Sequence, residues 1–495
     1  MRARGLLLLF CFVADVAAAQ FVETEINFGL PIDNRLTLPG FDGSPGTILL
    51  TGRSSEDDKY LGLFTVRDDG SVETEPAAKV ALAKEALFYD TGRIGAKKQL
   101  LLLTATSVSE LTPGGVAEIA KVQSIYKTQS SAALTKLDFL IDVNGDGLDD
   151  IVLPDFEGLR VALQSPEGFD HFDLLELPPQ LTVSGTEARY LADRLYCYDF
   201  NGDGRKDLAV IRNNSFLIFD ATGERSFAST PRTVPIDIGL ADESVIRRAQ
   251  ENLIDVDQSD FRVTQIADVK DLNGDGLPDI ITFTAISKGL FDKRTEYRVH
   301  LAVAGDGGLH YSAKPDADIP SDGVQLSLSA VDVNGDSMQD LVTTSFHLGF
   351  GEIIAALFSR SVTLDVALYR LGTSPIYPTQ PDFRAKAKLQ FSLSTGFISN
   401  PAVRFADFDG DGLLDLMLQD GSDELRIRRG SRAGSEFSGE TETWTTRLPR
   451  DGTLIDVADA NGDSRQDVLI GYGRADGGDL VDRVRVLISE PTPKN

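Results

Sequence analysis

One ten-residue phrase returns six times and constrains the fold more than any other feature. It reads "DVNGDGLDDI" from Asp142, "DFNGDGRKDL" from Asp199, "DLNGDGLPDI" from Asp271, "DVNGDSMQDL" from Asp332, "DFDGDGLLDL" from Asp407 and "DANGDSRQDV" from Asp459. Two weaker echoes precede these, "FDGSPGTILL" from Phe41 and "YDTGRIGAKKQLLLL" from Tyr89, which keep the turn and the apolar run but few acids. A unit recurring at intervals of about 50–75 residues points to a repeat architecture, in which each unit covers its neighbour's apolar face.

Each unit has the same grammar. A short apolar stretch ("LDFLI", "LYCY", "LSAV") leads into the acidic turn, and a second apolar run ("DIVLP", "DLAVI", "DIITF") leaves it. A third segment follows, such as "LRVALQ" or "RVRVLI", whose β-branched residues and partial alternation predict strand. A fourth, as in "FDLLEL", often comes after it. Four short strands per unit predict an all-β chain, a β-propeller of seven or eight four-stranded blades with acidic hairpin loops and short helical insertions. An open β-solenoid is the structural alternative. The clear units start near 135, 192, 264, 325, 400 and 452, and the degenerate ones near 36 and 84. The last unit ends after its third strand, so "FVETEINF" from Phe21 is expected to complete that blade and close the ring. Helical spacing of Val245, Ile246, Ala249 and Leu253 predicts a short helix inserted within Ala241–Asp255. "HLGFGEIIAALFSRS" is read as a second insertion.

Residues 1–19 read as a secretory signal: Arg2 and Arg4, an apolar run, then Ala17-x-Ala19 before Gln20. Residues 20–495 then form one propeller, secreted or periplasmic, with no membrane insertion after cleavage. The formal charge is −28, and −29 without the signal, which disfavours nucleic acid and anionic membranes and favours cations. Cys197 is the single cysteine left, so no intramolecular disulfide staples the fold.

With each turn numbered from its first aspartate, positions 1, 3, 5 and 9 carry side-chain oxygens. These are Asp142, Asn144, Asp146 and Asp150; Asp199, Asn201, Asp203 and Asp207; and Asp271, Asn273, Asp275 and Asp279. The later copies supply Asp332, Asn334, Asp336 and Asp340; Asp407, Asp409, Asp411 and Asp415; and Asp459, Asn461, Asp463 and Asp467. Position 7 (Leu148, Arg205, Leu277, Met338, Leu413, Arg465) varies in type, as expected where only the backbone carbonyl is used. Four side chains and a carbonyl approach the six to eight hard oxygens that Ca²⁺ takes. Metal-free Asp/Asn/Gly turns would have the same composition. Six copies with acids at fixed offsets favour about six structural calcium sites, because uncompensated carboxylates at such spacing repel by on the order of 1 kcal/mol or more per pair. An EF-hand is excluded by the missing glutamate at position 12, held here by Leu153, Val210, Thr282, Thr343, Leu418 and Ile470. Asp409 gives its loop a fourth carboxylate and the expectation of tightest binding. Ser337 and Ser464, where the other loops have glycine, predict weaker sites.

The motif D-x-[ND]-G-D-[GS]-x-x-D-[LIV] resembles the FG-GAP/VCBS repeats of integrin-α-like β-propellers. The resemblance implies a calcium loop in a β-hairpin of each blade, with positions 1, 3, 5, 7 and 9 as ligands. The Phe-Gly…Gly-Ala-Pro element itself is missing here.

Such a fold serves several functions. The leading expectation is a binding or adhesion-type module for a glycan or protein ligand. A calcium-assisted polysaccharide lyase and a purely structural envelope protein are the alternatives. Catalysis is disfavoured, since His171, His300, His310 and His347 belong to no motif and no nucleophile elbow or phosphate-cradling glycine loop occurs. "AGDGG" at 304–308 reads as a hairpin turn.

Overall fold

The computed structural model describes residues 21–490, apart from 42–44, 113, 127–132, 167, 170–171, 185–186, 224, 242–260, 288–292, 306–307, 321–322, 347–360, 393–396, 399, 432–436 and 438. Eight sheets follow one another along it, one per repeat unit, each with four antiparallel strands, and they form the eight blades of a closed propeller; blade two gains a fifth, parallel strand (Thr135–Lys136) and blade six a fifth, antiparallel one (Phe397–Ile398). Of the two counts open to the sequence, the structure has eight. The first strands are Ile32–Thr37, Phe88–Ile94, Leu140–Ile141, Tyr196–Tyr198, Phe261–Lys270, Val324–Val331, Val403–Ala406 and Ile455–Ala458 for blades one to eight. The "AGDGG" segment joins the hairpin Ala302–Gly305 and Gly308–Tyr311. The signal segment, and the two presumed insertions apart from Ala241 and Ser361, lie outside the described residues. No helix among the described residues is long and apolar enough to cross a membrane.

The apolar runs after the acidic turns are unbroken because both faces of each second strand are covered. In blade seven, Leu416 and Leu418 pack with Val342, Val366 and Leu368 of blade six, while Met417 between them packs with Ile455 and Val468 of blade eight. Leu208 and Val210 of blade four likewise face blade three, and Ala209 faces blade five. Eight such clusters exist, one at every junction between neighbouring blades, including that of blade eight with blade one. The core is therefore a ring of apolar seams.

Basic side chains on the first strands tie successive blades together. Arg404 of blade seven donates to the Ile455 and Gly452 carbonyls of the next blade at 2.8–3.0 Å. Lys270 reaches the Ala330 carbonyl at 2.9 Å, and Arg35 pairs with Asp456 at 2.9 Å across the closing junction.

Closure uses the chain's first described strand. Phe21–Asn27 pairs antiparallel with Arg483–Ser489 and becomes the fourth strand of blade eight, as the sequence predicts. Glu25 pairs with Arg483 and Arg485, and Glu23 with Arg485, at 2.5–3.1 Å. Phe21, Ile26 and Phe28 are buried in the seams on either side. At about 1.5–3 kcal/mol per buried side chain, these three account for on the order of 5 kcal/mol or more. Deleting residues 21–28 is therefore expected to lower the denaturant midpoint sharply. Unchanged equilibrium unfolding of the truncated chain would show that the ring does not depend on this strand.

Candidate functional site: a rim of acidic loops

All six acidic turns connect the first strand of a blade to its second, so they occupy the same corner of blades three to eight. Position 9 is in every case the first residue of the second strand: Asp150, Asp207, Asp279, Asp340, Asp415 and Asp467. The loops are also joined to one another. The Gln339 N–H donates to the Leu272 carbonyl, Leu414 to Val333 and Gln466 to Asp407, each reaching the loop of the preceding blade at 2.7–3.3 Å. The phrases thus line up side by side along one rim.

Within a loop the aspartates fold the backbone around themselves. The position-1 carboxylate accepts the position-4 N–H at 2.6–2.8 Å. Its other oxygen accepts the position-6 N–H at 2.8–3.1 Å. The position-3 side-chain oxygen accepts the position-5 N–H, and the position-5 carboxylate the position-7 N–H. This curl needs positive φ at positions 4 and 6. Where four loops have glycine at position 6, with φ of 82–84°, Ser337 and Ser464 adopt φ of 68° and 72°.

Position 9 has a role that the sequence reading missed. Each of these aspartates is at most 1% exposed. One oxygen accepts the position-2 N–H at 2.7–3.3 Å. The other accepts an N–H at or just past the end of the third strand, from Gln164, Ala221, Ala302, Leu371, Gly430 or Ser489. The carboxylate locks loop, second strand and third strand together. Burial pushes these carboxyls up, Asp150, Asp279 and Asp467 to about 7, and Asp340 and Asp415 to about 6, against the pull of their amide donors. The signal was an invariant acid followed at once by an apolar strand residue, which marks a buried carboxylate as much as a ligand.

The remaining side chains make the loops unequal. Arg205 and Arg465 at position 7 turn back onto the position-5 acids Asp203 and Asp463. Lys206 extends from its own loop to within 3.8 Å of Asp142 in the preceding one. A cleft between these two loops is lined by Asp146, Arg205, Lys206, Arg225 and Phe227. In the Asp407 loop, Asp407, Asp409 and Asp415 each offer an oxygen within 4.8 Å of the others. Oxygens about 2.3–2.6 Å from one shared Ca²⁺ lie no more than about 5 Å apart, so this donor set fits a hard cation. Arg429 stands beside it: Nη1 donates to Asp415 at 2.8 Å and Nε lies 3.9 Å from Asp409. Its Nε and Nη2 are also held by Glu442 at 3.0 and 2.8 Å. In the echo at Tyr89, Lys97 and Lys98 lie in the strand Lys97–Leu103. His300 is buried with Nδ1 2.9 Å from the Ser312 carbonyl, a structural position; His171 and His347 lie outside the described residues.

Two outcomes follow from this geometry. Ser337→Gly and Ser464→Gly relieve a left-handed non-glycine residue and keep the N–H bond to position 1, so each is expected to stabilise the protein by about 1 kcal/mol in denaturant titration. Asp279→Asn turns one amide acceptor into a donor facing an N–H. It is expected to cost about 2–3 kcal/mol in EDTA as well as in calcium, because that bond is made to the backbone.

A family profile described as an FG-GAP-like repeat matches residues 407–470, which run from the blade-seven loop through the second strand of blade eight. No curated protein matches the chain in sequence. Among solved structures, a lectin of Agrocybe aegerita that recognises non-reducing terminal N-acetylglucosamine is 17% identical, with TM-score 0.38, over 85% of this chain and 94% of that one. The V. cholerae biofilm matrix protein Bap1 is 13% identical, TM-score 0.36, over 97% and 89%. The WD40 domain of SCAP from fission yeast is 12% identical, TM-score 0.37, over 95% and 94%. Likeness at this level says nothing about ligand. The chain is thus an eight-bladed β-propeller that carries a repeated acidic loop at one corner of blades three to eight, and residues 407–470 of it match the FG-GAP-like repeat.

Proposed function

We propose that the chain is an exported, calcium-stabilised β-propeller that serves as a binding module for a glycan or protein ligand. The observation that carries the calcium reading is the alignment of six oxygen-rich loops on one rim, each gathering two or three ionisable carboxylates above a buried one. In each loop the side chains at positions 1, 3, 5 and 9, with the position-7 carbonyl, would hold the ion, and position 9 also anchors the loop to the strands beneath. A bound divalent cation supplies charge neutralisation, which the chain's composition otherwise lacks.

Export rests on the signal-like residues 1–19, and the argument against nucleic acid and anionic membranes rests on the net charge of −28. About six ions would still leave the mature chain near −17, so a polyanionic surface remains a poor partner for most of its exterior. The binding role rests on the architecture: a closed propeller holds its interblade loops on a rigid ring, which is where recognition residues are commonly presented.

The test is thermal unfolding of residues 20–495 with EDTA and with millimolar calcium, together with a count of bound metal by mass spectrometry and a glycan array. About six ions, a large upward shift in melting temperature and binding to a defined glycan class are expected. No bound metal and no shift would reduce the loops to hydrogen-bonded turns and remove the calcium reading.

A further inference from the structure

The six loops differ in one respect that composition alone conceals. Only the Asp407 loop has aspartate at position 3, where five have asparagine, which gives it the most carboxylates at positions 1, 3, 5 and 9. Only its position-9 carboxylate accepts a hydrogen bond from a guanidinium. The five others, Asp150, Asp207, Asp279, Asp340 and Asp467, accept backbone N–H groups at both oxygens and have no cation on them among the described residues. The extra acid and the arginine occur together, in the same blade, on the same cluster.

Arg429 is well placed to stay where it is. It immediately precedes Gly430, whose N–H binds the other oxygen of Asp415 at 2.8 Å, so the backbone that carries the guanidinium is fixed to the acid it neutralises. On its far side Glu442, from the fourth strand Glu442–Thr445, grips it through two N–H bonds. The side chain is 20% exposed, as is that of Asp409, and Asp415 is 1% exposed. A planar fork held between two carboxylates in a largely desolvated setting loses little further freedom and is not readily displaced. The other cations near loop acids differ: Arg205 and Arg465 pair with the position-5 acids of their own loops, and Lys206 is 42% exposed, 3.8 Å from Asp142, and carried on a flexible stem.

We infer that Arg429 serves as a built-in cation for the blade-seven loop, so that this loop, although richest in carboxylates at positions 1, 3, 5 and 9, binds calcium most weakly of the six. The inference rests on the calcium reading of the other loops. Asp409 is then the complement of Arg429, present to balance its charge, and blade seven keeps its loop folded when calcium is scarce. The corner at which blade seven meets blade eight would hold in low calcium while the remaining rim loosens.

Calcium titration of residues 20–495 by isothermal calorimetry, with bound metal counted by mass spectrometry, tests this. The wild type is expected to bind about five ions tightly. Arg429→Gln is expected to gain one more, or to raise the affinity of the weakest site at least tenfold, and to melt lower than wild type in EDTA but not in calcium. Arg429→Lys, which keeps the charge and loses the fork, should fall between the two. Six equivalent tight sites in the wild type would overturn the inference while leaving the calcium reading intact, and this holds even if the variant fails to fold. Five sites in both wild type and Arg429→Gln would also overturn it. No bound ion in either would instead remove the calcium reading on which it depends.

Discussion

A buried aspartate with two backbone amides on it is the contact on which each acidic blade depends. Its position at the first residue of the second strand fixes where the loop ends and the strand begins, and its second oxygen brings in the end of the third strand. A carboxylate this buried would ordinarily be driven toward its neutral form. Here the amide donors offset only part of that cost, and in blade seven a guanidinium adds to them. The exposed acids of the loop then fold over a frame that is already set.

The same device explains why the loops form a rim. Because the second strand of each of blades three to eight starts from the same kind of anchor, the loops leave their sheets at the same level. Loop-to-loop hydrogen bonds such as Gln466 to Asp407 then become possible without any special sequence at the donor. Beneath the rim, the seams are built by alternation: successive residues of one strand serve two different neighbours, as Leu416 and Met417 do. Stability is thereby spread over eight junctions, and the closing strand Phe21–Asn27 completes the last blade from the other end of the chain and so closes the row of sheets into a ring.

Charge is distributed in a way that a net value hides. The chain is strongly acidic, yet the acids of its most ordered loops are each answered locally, by amides, by Arg205 and Arg465 at position 7, or by Arg429 from the third strand's end. An interior cation costs an ordered side chain but is always present. An external one adds more binding energy but only above its dissociation constant.

Much of this was legible in the sequence. Six copies of one phrase give the loops and the second strands, since Asp and Gly at fixed offsets have few conformations open to them. The leftover "FVETEINF" predicted the closing strand because a final unit with three strands leaves an edge to be filled. Ser337 and Ser464 could be marked as strained from the glycines they replace. What the sequence could not decide was anything that depends on which blade faces which. Whether the degenerate units count as blades, and hence that there are eight, is settled by sheet pairing. Arg429 lies 14 residues beyond Asp415 and 20 beyond Asp409, just past the end of the third strand, and its contact with both acids exists only because the third strand returns alongside the second. Local chemistry repeats along a chain and can be read there; compensation between charges is set by distance in space, which only the tertiary structure provides.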